Sequence, residues 1–101
     1  MNITTSTLGN AIVIALAGRF DFSSHRDFRS AYTTALAEEA SKEIVIDFVR
    51  VEYMDSAALG MLLLLRQGAE EARKAVTLRG ATGSVAKVIE IANFGKLFKL
   101  D

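Results

Sequence analysis

Apolar and β-branched residues concentrate in four short segments of this chain. The segments are residues 3–8, 11–17, 43–48 and 75–79. Residues 11–17 are apolar without interruption, a pattern typical of a strand that is buried on both faces of a sheet. Residues 3–8 are rich in β-branched side chains, and Gly9-Asn10 marks a tight turn after them. The pattern predicts four strands, of which the first two are joined by this turn.

Between the later strands, apolar residues recur at helical spacing. One such segment contains Phe28, Ala31, Tyr32, Ala35 and Leu36, and another begins at about Thr82 and contains Val85, Val88, Ile89 and Ala92. A third segment, residues 56–73, has a core-facing stripe of Ala58, Leu62, Leu65, Ala69 and Ala72, widened by Met61 and Leu64. The spacing predicts three amphipathic helices.

Strands and helices alternate along the chain, and residues 94–100 are expected to close it with a short edge strand. Alternation of this kind predicts a single α/β domain over residues 1–101, with a four- to five-stranded mixed sheet and parallel central strands. Functional residues in such sheets tend to lie at the carboxyl ends of the strands. Residues 18–23 and 49–56 follow two of these ends, so we expect them to be neighbours.

Composition narrows the possible functions. The chain has 101 residues, half of them hydrophobic, and its twelve basic residues balance its twelve acidic ones. Without cysteine and with His25 as the one histidine, it offers no disulfide, thiolate or multi-histidine metal site. The sequence has no basic stripe of the kind that is typical of nucleic-acid binders. Its apolar runs are far shorter than the roughly 20 residues of a membrane span. We therefore expect a cytoplasmic protein with no cofactor, metal, nucleic acid or membrane as its ligand.

The most informative segment is Asp55-Ser56 at the predicted start of the second helix. Asp55 can act as the N-cap, which leaves Ser56 in the first turn with its hydroxyl near water. A phosphate on Ser56 would meet free backbone amides and the positive end of the helix dipole. Asp and Ser are also ordinary residues at a helix start, so local chemistry alone leaves a purely structural role open.

The polar face of the same helix carries an apolar residue. Leu63 falls among polar positions about two turns from Ser56, with Leu59 near the boundary and Gly60 beside it. Gly60 would let another protein approach the helix closely. The pattern favours a contact surface formed by Leu59, Gly60 and Leu63 next to Ser56.

The chain resembles the anti-sigma-factor antagonists that consist of one STAS domain. The likeness is carried by Met54-Asp55-Ser56-Ala57-Ala58-Leu59-Gly60, by Gly18-Arg19-Phe20-Asp21 and by Phe94-Gly95-Lys96-Leu97-Phe98. The resemblance implies that Ser56 is phosphorylated by a partner kinase, with Asp55 as its acidic neighbour and Asp21 as the loop aspartate. It also implies that the unphosphorylated protein binds an anti-sigma factor, often itself the serine kinase, and that a serine phosphatase reverses the modification.

The motif departs from the family pattern at two positions. Ser or Thr and then Gly commonly follow the phosphoacceptor, whereas this chain has Ala57 and Ala58. Ser56 is therefore the only candidate acceptor in the motif, and the loss of glycine stiffens the start of the helix.

The same residues allow other functions. A hydrolase triad of Ser56, His25 and an aspartate lacks the Gly-x-Ser-x-Gly turn of a nucleophile elbow. Asp21 and Asp55 could bind Mg²⁺ or act as an acid–base pair, but paired aspartates are more often caps. Residues 80–84 lack the Gly-Lys-Ser/Thr ending of a P-loop. A different class of function remains: a STAS-like subunit docked permanently on a transporter or sensory complex, with Ser56 as a helix cap only.

Overall fold

Five strands form one sheet in which the order in space is the order in the chain, β1-β2-β3-β4-β5. The computed structural model describes residues 1–101. The strands are β1 (Asn2–Leu8), β2 (Ala11–Phe20), β3 (Glu43–Met54), β4 (Ala75–Arg79) and β5 (Lys99–Leu100). β1 pairs with β2 antiparallel, and every later pair is parallel. The predicted mixed sheet with parallel central strands is confirmed.

Three helices connect the parallel strands, as predicted. They are α1 (His25–Ala37), α2 (Ser56–Glu71) and α3 (Gly83–Ile91), and short 3₁₀ turns precede β5 and α1 at Phe94–Lys96 and Phe22–Ser24. The short edge strand expected within residues 94–100 is confirmed as β5, Lys99–Leu100. Before β5, Phe94 and Phe98 are buried, and the carbonyl of Leu97 accepts a 2.9 Å hydrogen bond from Nε of Arg66.

All three helices pack on the same face of the sheet. Each new parallel strand is added on the same side of the last one, so right-handed crossovers carry every helix over one face. Side chains from that face form the core with the helices: Ile12, Ile14, Leu16, Ile44, Ile46, Val76 and Leu78. Ala11, Val13 and Val45 form a separate small cluster on the opposite face, which carries no helix.

The prediction that β2 is covered on both faces is therefore only partly right. Ala11 and Val13 are each 7% exposed, whereas Ala15 and Ala17 are half-buried. Small side chains at the centre of a sheet lose much of their solvent contact to cross-strand neighbours, even where no second layer covers them. A continuous apolar run in the sequence does not distinguish the two situations.

Two strands run further than the sequence predicts. β2 continues beyond residue 17 to Phe20, and β3 continues beyond residue 48 to Met54. Their pairing passes two register shifts before it joins Arg19 to Tyr53 and Phe20 to Met54. The side chains of Phe20 and Met54 are buried, which fixes the ends of both strands against the core.

An aromatic cluster lies beneath these strand ends. The Phe20 ring is 5.0 Å from the Phe28 ring and 6.3 Å from the Phe48 ring, measured between centroids. Phe28 in turn contacts Tyr32 edge-on at 5.4 Å. The cluster ties the beginning of α1 to the end of β2 and the middle of β3.

The core-facing stripe of α2 is narrower than predicted. Ala58, Met61, Leu62, Leu65 and Ala69 are buried, as expected. Leu64 is 49% exposed and Ala72 lies exposed at the C-cap, so the prediction is wrong for both. At about 100° per residue, Leu64 is rotated away from the centre of the buried stripe and lines a groove between α1 and α2.

Replacement of Gly80 by alanine and replacement of Gly60 by alanine should change the free energy of unfolding in opposite directions. Gly80 has φ +78°, and a Cβ there would lie 2.5 Å from Cγ2 of Val49. We expect Gly80→Ala to lower the free energy of unfolding by about 2 kcal/mol through backbone strain and collision. A Cβ on Gly60 would meet no atom within 4 Å. Gly60→Ala should therefore raise the free energy of unfolding by up to about 1 kcal/mol, because alanine has the higher helix propensity. Urea unfolding measures both, and an unchanged midpoint for Gly80→Ala would contradict the steric argument.

Candidate phosphoacceptor and partner-binding site

The ends of β2 and β3 bring two aspartates to one edge of the sheet. Because Phe20 pairs with Met54, the next residues, Asp21 and Asp55, leave neighbouring strands at the same level. Adjacent strands are about 4.8 Å apart. The segments 18–23 and 49–56 are therefore neighbours, as the sequence predicts.

Asp55 caps α2, and Ser56 is the first residue of that helix. The Asp55 backbone is extended, and its Oδ1 accepts a 3.1 Å hydrogen bond from the Ala58 amide. The Ser56 side chain is exposed. The amides of Ser56 and Ala57, in the first turn, have no partner within an α-helix, so they and the helix dipole create a local positive potential around the Ser56 hydroxyl.

Asp21 caps the 3₁₀ turn that leads into α1. One carboxylate oxygen accepts hydrogen bonds from the amide and the hydroxyl of Ser23, the amide at 3.0 Å, and the other lies 3.6 Å from Nε of Arg19. The Ser23 hydroxyl, helped by the Ser23 amide and the Arg19 charge, holds the pKa of Asp21 below its ordinary value. Asp21 is therefore a carboxylate at neutral pH.

Exposed aromatic side chains flank the two aspartates, and the sequence did not single them out. Phe22 is 72% exposed and stacks on the His25 ring at 5.8 Å. The guanidinium of Arg19 lies 4.0 Å from the centroid of the Tyr53 ring, a cation–π contact. In the sequence, the polar neighbours Asp21 and Ser23 are a signal that Phe22 lies in an exposed loop. The Arg19–Tyr53 pair depends on the register of β2 and β3, which the sequence does not show.

The exposed side of α2 continues this surface. Gly60 is exposed, and Leu63 has 42% of its surface accessible, whereas Leu59 is partly buried at the boundary with the core. Leu64 adds an exposed apolar side chain next to Leu63. The structure thus brings Ser56, Gly60 and Leu63 onto one open helix face. We call this face, with Asp21, Asp55 and Leu59 at its border, the α2 surface.

His25 and Asp55, two side chains of the alternative hydrolase triad, make other contacts in the structure. The His25 ring is stacked on Phe22, and the Asp55 carboxylate is bound to the Ala58 amide. Asp21 and Asp55 both accept capping hydrogen bonds at the start of a helical turn. Residues 80–84 form a strand-to-helix turn with Thr82 at the N-cap position of α3, although its side chain makes no capping hydrogen bond.

Comparison with known proteins identifies the family. The model described as "Mlab, STAS domain" matches residues 3–100. A STAS-domain containing protein of Pseudomonas aeruginosa strain UCBPP-PA14 is 40% identical over 92 residues, which cover 91% of this chain and 89% of the relative. The chain belongs to the STAS domain family. None of its helices has the length and hydropathy needed to cross a membrane.

Solved structures share the fold at low sequence identity. The anti-sigma factor antagonist SpoIIAA in its unphosphorylated form is 23% identical, with a TM-score of 0.75 over 99% of this chain and 87% of that one. SpoIIAA of Bacillus is also known in a phosphorylated form, at 22% identity, with the same TM-score over 99% of this chain and 91% of that one. A sulfate transporter family protein from Wolinella succinogenes is 16% identical, with a TM-score of 0.74 over 86% of this chain and 70% of that one.

The lowered pKa of Asp21 predicts how stability depends on pH. A carboxyl whose pKa is lower in the folded state stabilises the fold above its unfolded pKa, and this stabilisation is lost as the pH falls through the folded value. Between about pH 5 and pH 3, Asp21→Asn should therefore lose less thermal stability than the parent protein. Asp27→Asn, at an exposed position in the first turn of α1, is the control. Parallel melting-temperature curves for the parent and Asp21→Asn over this range would refute the prediction.

Proposed function

We propose that this STAS protein is an anti-sigma-factor antagonist that acts as a phosphorylation-controlled binding module, and not as an enzyme. Its unphosphorylated form binds an anti-sigma factor that is also a serine kinase, and so relieves the inhibition of a sigma factor. Phosphorylation of Ser56 blocks binding, and a serine phosphatase restores it. The exchange takes place in the cytoplasm between proteins, without nucleic acid or membrane as a ligand.

The observation that carries the proposal is the position of Ser56. It is exposed at the first residue of α2 and shares an open face with Gly60 and Leu63. A kinase can reach this hydroxyl without unfolding the chain, and a partner that covers Leu63 would also cover it. Because Ala57 and Ala58 follow, Ser56 supplies the one hydroxyl of the motif.

A phosphate at this position would change binding much more than stability. It adds about 1.5 to 2 negative charges, while the first-turn amides and the helix dipole offset part of that charge. The Ala58 amide already donates a hydrogen bond to Asp55. The phosphate would therefore accept hydrogen bonds from the other amides of the first turn. Asp21 and Asp55 lie at the same edge, which makes the modified site strongly acidic. A partner fitted to a small neutral hydroxyl would meet both bulk and repulsion.

Relatives support this role and also an alternative. SpoIIAA is an anti-sigma factor antagonist known in both phosphorylation states, and this chain has its fold. The same fold occurs in a sulfate transporter family protein. The second candidate is therefore a STAS subunit docked permanently on a transporter or sensory complex, with the Asp55–Ala58 capping bond as the whole role of the motif.

Substitutions at Ser56 separate the two candidates. Ser56→Ala should accept no phosphate from the kinase and should bind it constitutively. Ser56→Asp should weaken binding by at least about 2 kcal/mol, because it places a charge where the partner meets a hydroxyl. Mass spectrometry after incubation with the cognate kinase and ATP locates the phosphate, and calorimetric titration of each variant measures affinity. Phosphate found only on another residue, or parent-like affinity of Ser56→Asp, would favour the docking subunit.

Leu63 tests whether the α2 surface makes the contact. Leu63→Glu should weaken partner binding by more than about 1 kcal/mol, since it puts a charge into an apolar contact, and should leave the unfolding midpoint nearly unchanged. Ile91→Glu is a matched control, because Ile91 is 75% exposed on α3. Equal losses of affinity in the two variants, or unfolding of Leu63→Glu, would show that the α2 surface was wrongly assigned.

A further inference from the structure

The exposed side of α1 carries a cluster of basic groups that the proposed function does not yet use. His25, Arg26 and Arg29 line one depression of about 470 Å³, and the other residues that line it are Ser30, Thr33 and Thr34. Every residue around this depression is polar, and none is acidic. We call His25, Arg26 and Arg29 the basic strip.

The two arginines of the strip have no carboxylate partner within the chain. The ion pairs of the protein join Arg19 to Asp21, Arg66 to Glu70 and Arg79 to Asp47. Asp27, the one acidic residue of α1, lies on another side of the helix, in a depression shared with Met1 and Ile3 of the β1 region. The charges of Arg26 and Arg29 are therefore available to a ligand.

The basic strip and the α2 surface lie on neighbouring helices. Arg29 also lines a groove of about 360 Å³ between α1 and α2, together with Leu36, Leu64 and Glu71. Arg29 and Glu71 form no ion pair, since the three ion pairs of the chain involve other residues. Leu64 and Leu63 are both exposed on α2, with their side chains about 100° apart around the helix. Phe22, stacked on His25, adds an exposed apolar side chain at the amino-terminal end of the strip. One molecule could thus cover Leu63, the groove and the strip together.

We propose that the basic strip receives an acidic segment of the protein that binds the α2 surface. This inference rests on the proposed function, because it describes the chemistry of the same partner. Carboxylates would pair with Arg26 and Arg29, and the hydroxyls of Ser30 and Thr33 would donate further hydrogen bonds. A protein fits better than a nucleic acid, because the strip spans a little more than one helical turn, adjoins apolar side chains and belongs to a chain of zero net charge.

Charge reversal tests the strip against a matched control. The variant Arg26→Glu/Arg29→Glu should fold normally, since both side chains are exposed and acidic residues suit the first turns of a helix. Lys42→Glu/Lys87→Glu makes the same change in net charge at exposed positions away from α1. Far-UV circular dichroism and melting temperature verify both folds.

The first measurement uses acetylated hexaglutamate as the probe. NMR detects its binding through changes in the amide chemical shifts of the full chain. Shifts should concentrate in residues 25–34 of the parent and of Ser56→Asp, remain in the lysine control and disappear in the arginine variant. Scattered shifts, or shifts lost equally in the lysine control, would overturn the proposal. So would a single-stranded RNA 12-mer that binds the same residues more tightly than the peptide.

The second measurement is titration with the kinase used for the Ser56 variants. The arginine variant should lose at least about tenfold in affinity, mainly through slower association, and the lysine control less than about twofold. If Ser56→Asp abolishes binding and the arginine variant behaves like the lysine control, the strip is refuted while the switch stands. If the arginine variant weakens binding and Ser56→Asp does not, the strip stands and the switch is refuted.

Discussion

The paired burial of Phe20 and Met54 is the constraint on which the rest of this structure depends. Both side chains are buried at the last pair of the β2–β3 ladder, beyond two register shifts. Without this anchor, Asp21 and Asp55 would belong to two loops with no defined relation. With this anchor, Asp21 and Asp55 follow directly after the paired residues, and their carboxylates lie at the same edge of the sheet. At this edge α2 begins, with Ser56 exposed.

The one-sided arrangement of helices follows from topology and determines which surfaces are available. The crossovers place α1, α2 and α3 over the same face, and the first two lie side by side with both amino ends at the carboxyl edge of the sheet. The exposed sides of α1 and α2 therefore form one surface with different chemistry on each helix. α2 offers a hydroxyl, a glycine and leucines, and α1 offers unpaired basic groups. A partner could gain affinity from the leucines of α2, while the basic groups of α1 could orient it and raise the rate of association.

The same geometry explains how a small modification could act without a conformational change. The site rests on a packed base, because the aromatic cluster of Phe20, Phe28 and Phe48 joins the end of β2 to β3 and to the start of α1. A charge added at Ser56 would not displace these groups, since its side chain already faces water. Under the proposed function, the signal is read directly by the partner as bulk and repulsion at the interface.

The sequence by itself determined the order and type of the elements, because strand runs and helical spacing are local patterns that burial imposes directly. It also located Asp55 as a cap and Ser56 in the first turn, since N-cap chemistry depends on adjacent residues. Only the tertiary structure decided how far β2 and β3 extend, that the second face of the sheet has no helix, and that Leu64 is exposed. It alone showed the Arg19–Tyr53 contact and the position of α1 beside α2. These features depend on register, crossover direction and helix rotation, which arise from contacts between residues distant in the chain.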